Sequence, residues 1–192
     1  MKRLLFVLTL TICFQQISAK PMEAKRVLIV YATATNSTKS IADSMKTYIE
    51  SNGHKVDVIS AKNNKVDLTN YKLIIIGSAI HANNPLPEAL AFIDINREEL
   101  SAKYVAVFAV CSTITSTKKK KYLNALSYAD KVANGLKPIS KNVFGGNFPS
   151  NGKKFDDFMA KLFLGIVPDD YRDWAKIKGW ALELIDKIND YF

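Results

Sequence analysis

From Arg26 to Tyr31 the chain reads Arg-Val-Leu-Ile-Val-Tyr, an unbroken β-branched and apolar run. Such a run is the pattern of a strand buried on both faces of a parallel sheet. After a polar stretch from Thr33 to Thr38, apolar positions return at Ile41, Ala42, Met45, Tyr48 and Ile49. That spacing predicts a helix, and Asn52-Gly53 supplies its stop. Lys55 to Ser60 alternates Val56 and Val58 with polar neighbours, a second strand. Leu73 to Gly77 (LIIIG) and Tyr104 to Val110 (YVAVFAV) are two further buried strands, and Asn142 to Phe144 is a weaker fifth. Between the third and fourth, Pro87 opens a helix with Leu86, Ala89, Leu90 and Ile93 on one face. A last helix, from about Tyr171, carries Trp174, Ile177, Ala181, Leu184, Ile185 and Ile188 on one stripe.

Strands alternating with helices at this spacing imply βαβ units, hence an α/β fold with a parallel sheet and helices on both faces. In such sheets ligands bind beyond the carboxyl ends of the strands, where the strand order reverses. The informative residues are therefore those just after Tyr31, Gly77 and Val110. Length and composition agree: 192 residues, 48% hydrophobic and 23% charged, suit one folded domain and argue against disorder or a polytopic membrane protein.

The first nineteen residues form a separate unit. Lys2-Arg3 is followed by an uncharged apolar run, Leu4 to Phe14, and by Ile17-Ser18-Ala19, which ends in a small residue. This predicts either a cleaved signal peptide, with export to the periplasm or the outside, or an N-terminal membrane anchor. Residues 20–192 are then the domain proper. Cleavage after Ala19 would remove Cys13 and leave Cys111 without a partner for an intramolecular disulfide.

The loop Thr33-Ala34-Thr35-Asn36-Ser37-Thr38 packs four hydroxyls and an Asn between a buried strand and a helix start. Together with the free N–H groups of the first helical turn, these make a neutral cradle for a phosphate dianion. A helix start that is merely rich in capping hydroxyls has the same composition. Two nucleotide-binding patterns are excluded. The loop has no Gly-Lys pair followed by a hydroxyl, as GxxxxGK[ST] requires, and no glycine for GxGxxG.

The run Val-Leu-Ile-Val-Tyr-Ala-Thr-x-Thr-x-Ser-Thr, followed by Ile41-Ala42, resembles the flavodoxin phosphate loop. Asn36 stands where that loop has a small residue, usually Gly, and Asn accepts left-handed backbone better than most. The resemblance implies a three-layer sandwich with a five-stranded parallel sheet in the order 2-1-3-4-5, and FMN as cofactor. It assigns the phosphate to Thr33 through Thr38. It assigns flavin-ring contacts to Ala79, Ile80 and His81 after the third strand and to Cys111, Ser112 and Thr113 after the fourth. Neither ring loop carries Trp, Tyr or Phe at its centre, so Ile80 and Ile114 are the apolar cover on offer. No metal site and no catalytic acid or base is indicated.

A second stretch narrows the likeness. Phe155-Asp156-Asp157-Phe158-Met159-Ala160-Lys161-Leu162-Phe163, then Asp169-Asp170-Tyr171-Arg172-Asp173-Trp174, is similar to the insertion and final-helix entry of menaquinone-dependent protoporphyrinogen IX dehydrogenases. That likeness implies an FMN-dependent oxidoreductase passing electrons from an organic substrate to a quinone-like acceptor. An exported or tethered electron carrier and a flavin-free binding module are the alternatives on the same fold. Phe155, Phe158, Met159, Leu162, Phe163 and Ile166 share one helical stripe, which would either cap the sheet or meet a membrane or flat substrate.

Charge sharpens the second option. The chain carries a net charge of +9. Between Lys118 and Lys161 lie ten lysines and three aspartates, so most of the surplus sits there, including the run Lys118-Lys119-Lys120-Lys121. This predicts a docking surface for an anionic substrate or membrane. The lysines lack interleaved aromatics or a recognition motif, which argues against nucleic acid.

Overall fold

Five apolar runs become the parallel strands of one sheet. A computed structural model describes residues 24–149 and 152–190, so the leader stretch and Cys13 lie outside the described residues. Strand β1 (Arg26–Ala32) is followed by helix α1 (Ser37–Glu50), β2 (Lys55–Ser60) and β3 (Leu73–His81). A two-residue strand β4 (Asn84–Pro85) and helices α2 (Pro87–Ile95) and α3 (Arg97–Ser101) lead to β5 (Tyr104–Val110). A 3-10 turn at Ser112–Thr115 and helices α4 (Lys119–Leu126) and α5 (Tyr128–Ala133) lead to β6 (Ser140–Phe144). An excursion follows: β7 (Asn147–Phe148), α6 (Lys154–Met159) with a π-helical continuation over Ala160–Leu164, and β8 (Asp169–Asp170). Helix α7 (Trp174–Asp190) closes the described chain.

The strand order is β2-β1-β3-β5-β6, with β4 hydrogen-bonded antiparallel to β3. Setting β4 aside, this is the expected order 2-1-3-4-5, and the reversal falls between β1 and β3. Register brings the carboxyl ends level: Ala32 pairs with Ser78, Ala79 with Val110, and Val110 with Phe144. The three loops that follow β1, β3 and β5 therefore meet along one edge.

Alternation within each strand feeds two cores. Leu28, Val30, Ile74, Ile76 and Val107 pack with Phe92, Tyr128 and Val132 of the α2–α5 layer. Val27, Ile29, Leu73, Ile75 and Phe108 pack with Ile41 and Met45 of α1 and Ile177 and Leu184 of α7. Burial on both faces explains why the strand runs are continuously apolar.

Several expectations are corrected. Helix α7 begins at Trp174 rather than near Tyr171, and its stripe is built on Trp180 rather than Trp174. Trp180 is 4% exposed and meets Phe108 and Phe144 edge-on at 6.0 and 5.6 Å, whereas Trp174 is 39% exposed beneath the Arg172 guanidinium. In α2 the fully buried aromatic is Phe92, and Leu90 is only half-buried. Strand β3 does not stop at Gly77. That glycine is needed where it lies, because a Cβ there would stand 2.1 Å from Phe108 Cζ.

Candidate functional site

The loop after β1 turns on Asn36, whose φ of 64° is left-handed. This is the position at which the resembling loop uses a small residue, and Asn supplies the same geometry. Helix α1 starts immediately afterwards, with no side chain capping it. Its first intrahelical bond runs from Ser40 N–H to the Asn36 carbonyl at 3.0 Å, so the N–H groups of Ser37, Thr38 and Lys39 have no partner inside the helix. Thr33 Oγ1 and Thr38 Oγ1 are both buried without a hydrogen bond. Leaving a buried hydroxyl unpaired costs about 1–3 kcal/mol, so a pair of them beside a helix N-terminus is a cradle built for an acceptor. Ala34 and Thr35 are exposed beside it.

Ser37 serves differently from the expectation. Its Oγ donates to the Asn147 carbonyl at 3.3 Å and accepts from Asn147 N–H at 3.0 Å. It is a strut from the loop to β7, which leaves Thr33 and Thr38 as the hydroxyls free for a phosphate. Lys39, unnoticed in the sequence, adds a cation in the first turn and is paired with Asp43 at 2.7 Å.

The segment after β3 is a hairpin rather than an open loop. Ala82 and Asn83 both take positive φ, 48° and 65°, and His81 pairs with Asn84. Two successive left-handed residues are the turn that matches strand twist. The hairpin is held in place: Ser78 Oγ accepts from Leu86 N–H at 2.9 Å, Tyr128 hydroxyl donates to Asn83 Oδ1, and Lys131 Nζ reaches the Asn83 carbonyl at 2.8 Å. Ala79 and Ile80 are half-buried, and His81 is exposed at the tip.

After β5, Cys111 donates its N–H to the Phe144 carbonyl at 3.1 Å. Its thiol is buried in the core with Ala125 and Tyr128, and burial pushes its pKa up. Ser112 and Thr113 begin the 3-10 turn. Thr113 Oγ1 is a third buried hydroxyl without a hydrogen bond of ordinary geometry, beside the Cys111 thiol and the Tyr128 hydroxyl. Ile80 and Ile114, one from each loop, both lean on the same core.

The excursion after β6 is the expected insertion, but none of its residues is among the expected cofactor contacts. Gly145 and Gly146 let it start: a Cβ on Gly145 would collide with the Tyr171 carbonyl at 2.1 Å, and one on Gly146 would press on Val110 at 3.1 Å. Arg172 returns to the first turn of α1, donating to Ser40 Oγ at 2.7 Å while paired with Asp170 at 2.5 Å. That pairing holds the Asp170 carboxyl below its ordinary range. At the other end Thr117 N–H reaches the Gly165 carbonyl at 3.2 Å, and Ser116 and Lys118 donate to the Leu164 and Leu162 carbonyls. The excursion thus bridges the first and third loops. Among the described residues no group of three His, Cys, Asp or Glu side chains gathers that could hold a metal ion.

This is the architecture of a flavodoxin-like protein, with its cradle at the β1/β3 reversal. The chain belongs to the flavodoxin domain family, which matches residues 28–154. Among solved structures it is similar to oxidised flavodoxin 1 of Bacillus cereus, at 16% identity and a TM-score of 0.57, covering 84% of this chain and 98% of that one. It is likewise similar to flavodoxin 2 of the same organism, at 21% identity and a TM-score of 0.53 over 84% and 99% of the two chains. Rubredoxin oxygen:oxidoreductase from Desulfovibrio gigas superposes at a TM-score of 0.59 with 15% identity, over 86% of this chain but 36% of that one. No curated protein sequence matches the chain. The cofactor of the family is FMN, and the residues present fit it: Thr33, Thr38 and the N-terminus of α1 answer a phosphate, and Ile80 and Ile114 offer apolar walls for a ring.

Proposed function

We propose that the protein is an FMN-dependent oxidoreductase that takes two electrons and two protons from an organic substrate and delivers them to a quinone-like acceptor, leaving a quinol. When bound, FMN supplies the redox chemistry, and the chain supplies anchoring and surroundings. Thr33 and Thr38 would bind the phosphate by donating their hydroxyl protons, and the α1 terminus would add its dipole. The hairpin tip and the 3-10 turn would hold the ring between Ile80 and Ile114, excluding water from its faces.

The observation that carries the substrate class is the excursion itself. It ties to both cofactor loops and exposes Phe163 next to Leu162, whose carbonyl accepts from Lys118 at the start of the basic segment. Such a surface suits an apolar macrocycle with carboxylate arms, and protoporphyrinogen IX has that chemistry. The similarity of residues 155–174 to the dehydrogenases that use it supports the same reading.

Anaerobic mixing of FMN-loaded protein with protoporphyrinogen IX tests this. Flavin absorbance should bleach, and a naphthoquinone should restore it with turnover. Bleaching only by a reduced redox protein, with no turnover of any small substrate, would instead establish an electron carrier.

A further inference from the structure

The exposed large apolar side chains of the described residues are unevenly placed: all but Ile95 lie between Tyr122 and Trp174. Those from Tyr122 to Phe158 fall in the stretch of the lysine surplus, ten lysines against three aspartates from Lys118 to Lys161, and Leu162 and Phe163 directly follow it. Two elements carry them. Helix α4 exposes Tyr122, Leu123 and Leu126 beside Lys119 and Lys120, and α6 with its π-helical continuation exposes Phe155, Phe158, Leu162 and Phe163 beside Lys153, Lys154 and Lys161. The two meet where Lys118 donates to the Leu162 carbonyl. Of the expected stripe Ile166 is buried and Met159 half-buried, whereas Phe155, Phe158, Leu162 and Phe163 are exposed and do not cap the sheet.

We propose that this combined lysine and aromatic surface is an interfacial docking site for an anionic lipid bilayer. Residues 154–164 span about 16 Å as a helix, too short to cross a bilayer but long enough to lie in its headgroup region. Phe155, Phe158 and Leu162 recur at helical spacing on one stripe, and Lys154, Asp157 and Lys161, each one residue earlier, flank it about 100° round the helix. Lysines flanking an apolar stripe are the arrangement that anionic headgroups attract. A second copy of the chain is a poorer occupant, because a two-fold contact sets this face against itself and brings lysine to lysine. Because the excursion is bonded to α1 through Ser37 and Ser40 and to the third loop through Thr117, docking would turn the cofactor edge toward the bilayer. This last consequence rests on the redox reading above: a lipophilic acceptor would then arrive from the membrane side.

Vesicle co-sedimentation of the full chain, with and without FMN, is the test. Binding should be strong on phosphatidylcholine vesicles containing about one-third phosphatidylglycerol and weak on phosphatidylcholine alone, and it should fall with salt. Phe155→Ser with Phe158→Ser, and separately Lys119→Gln, Lys120→Gln and Lys121→Gln, should each weaken binding by about tenfold or more. Thermal unfolding should remain that of the parent. Unchanged binding in both variants overturns the proposal and leaves the remaining chain as the anchor. A parent dimer that the phenylalanine variant converts to monomer, with vesicle binding unaltered, also overturns it in favour of self-association. Since the readout needs neither turnover nor flavin, its failure is separate from failure of the redox assignment.

Discussion

Two regions share one edge of the sheet and leave opposite chemistry unmet. The first loop, residues 33–38, is mounted between a buried strand and a helix packed by one face, and holds unpaired hydroxyls out of solvent. The excursion after β6 is mounted on a two-residue hairpin, β7 with β8, and turns uncovered aromatics outward. Unsatisfied polar atoms in a rigid interior point to a small polar ligand whose position is set in advance. Uncovered apolar atoms on a thin support point to a large, yielding partner. On the proposed reading the same edge has a cofactor side and a docking side.

The contrast can be broken most heavily where the loop is supported. Trp180→Ala removes the ring that closes against Phe108 and Phe144, and should destabilise the protein by about 3–5 kcal/mol in chemical denaturation. Trp174→Ala, six residues earlier on the excursion side, should cost under about 1 kcal/mol. Near-equal losses would mean that the two regions are not mechanically distinct.

A smaller and more specific effect concerns the hydroxyls. Thr38→Val should weaken FMN binding about tenfold or more, while apo stability stays level or rises by up to about 1 kcal/mol, since an unpaired buried hydroxyl disappears. A loss of apo stability comparable to the loss of binding would instead make Thr38 an ordinary structural residue. Severing the strut should do less: Arg172→Gln breaks the bonds to Asp170 and Ser40 and should lower the excursion's protection in hydrogen exchange with little change in the global melting point.

The smallest effect is a pH dependence remote from both regions. His54 is buried and accepts the Lys25 N–H on Nδ1, and burial together with nearby Lys25 holds its pKa below the ordinary value of about 6.5. The unfolded chain therefore takes up its proton first as pH falls. Stability is full above about 6.5 and declines as pH drops below it. Denaturation midpoints at neutral and mildly acidic pH should separate in the parent and converge in His54→Gln.

Much of the sheet was legible because strands buried on both faces must be continuously apolar, as in residues 26–31 and 104–110. The unpaired hydroxyls of Thr33 and Thr38 lie within one contiguous polar run, so the sequence could single them out as candidate phosphate donors. What escaped was what contiguity does not encode. The hairpin tip depends on Ala82 adopting positive φ, which no alanine advertises. Trp180 and Trp174 both suit a helical stripe, and only the position of Phe144 decides between them. The grip of Arg172 on Ser40 spans 132 residues, and the strut from Ser37 to Asn147 spans 110. Helices α4 and α5 were hidden by a polar start, the lysine run, whose apolar face is short.

The most direct measurement is a paired titration of FMN and riboflavin, followed by flavin fluorescence, in the parent and in Thr33→Val with Thr38→Val. The parent should hold FMN about a hundredfold or more tighter than riboflavin, and the double variant should lose most of that difference while binding riboflavin as before. Equal affinity of the parent for the two flavins, or an unchanged preference in the variant, would contradict the assignment of the first loop as the phosphate site.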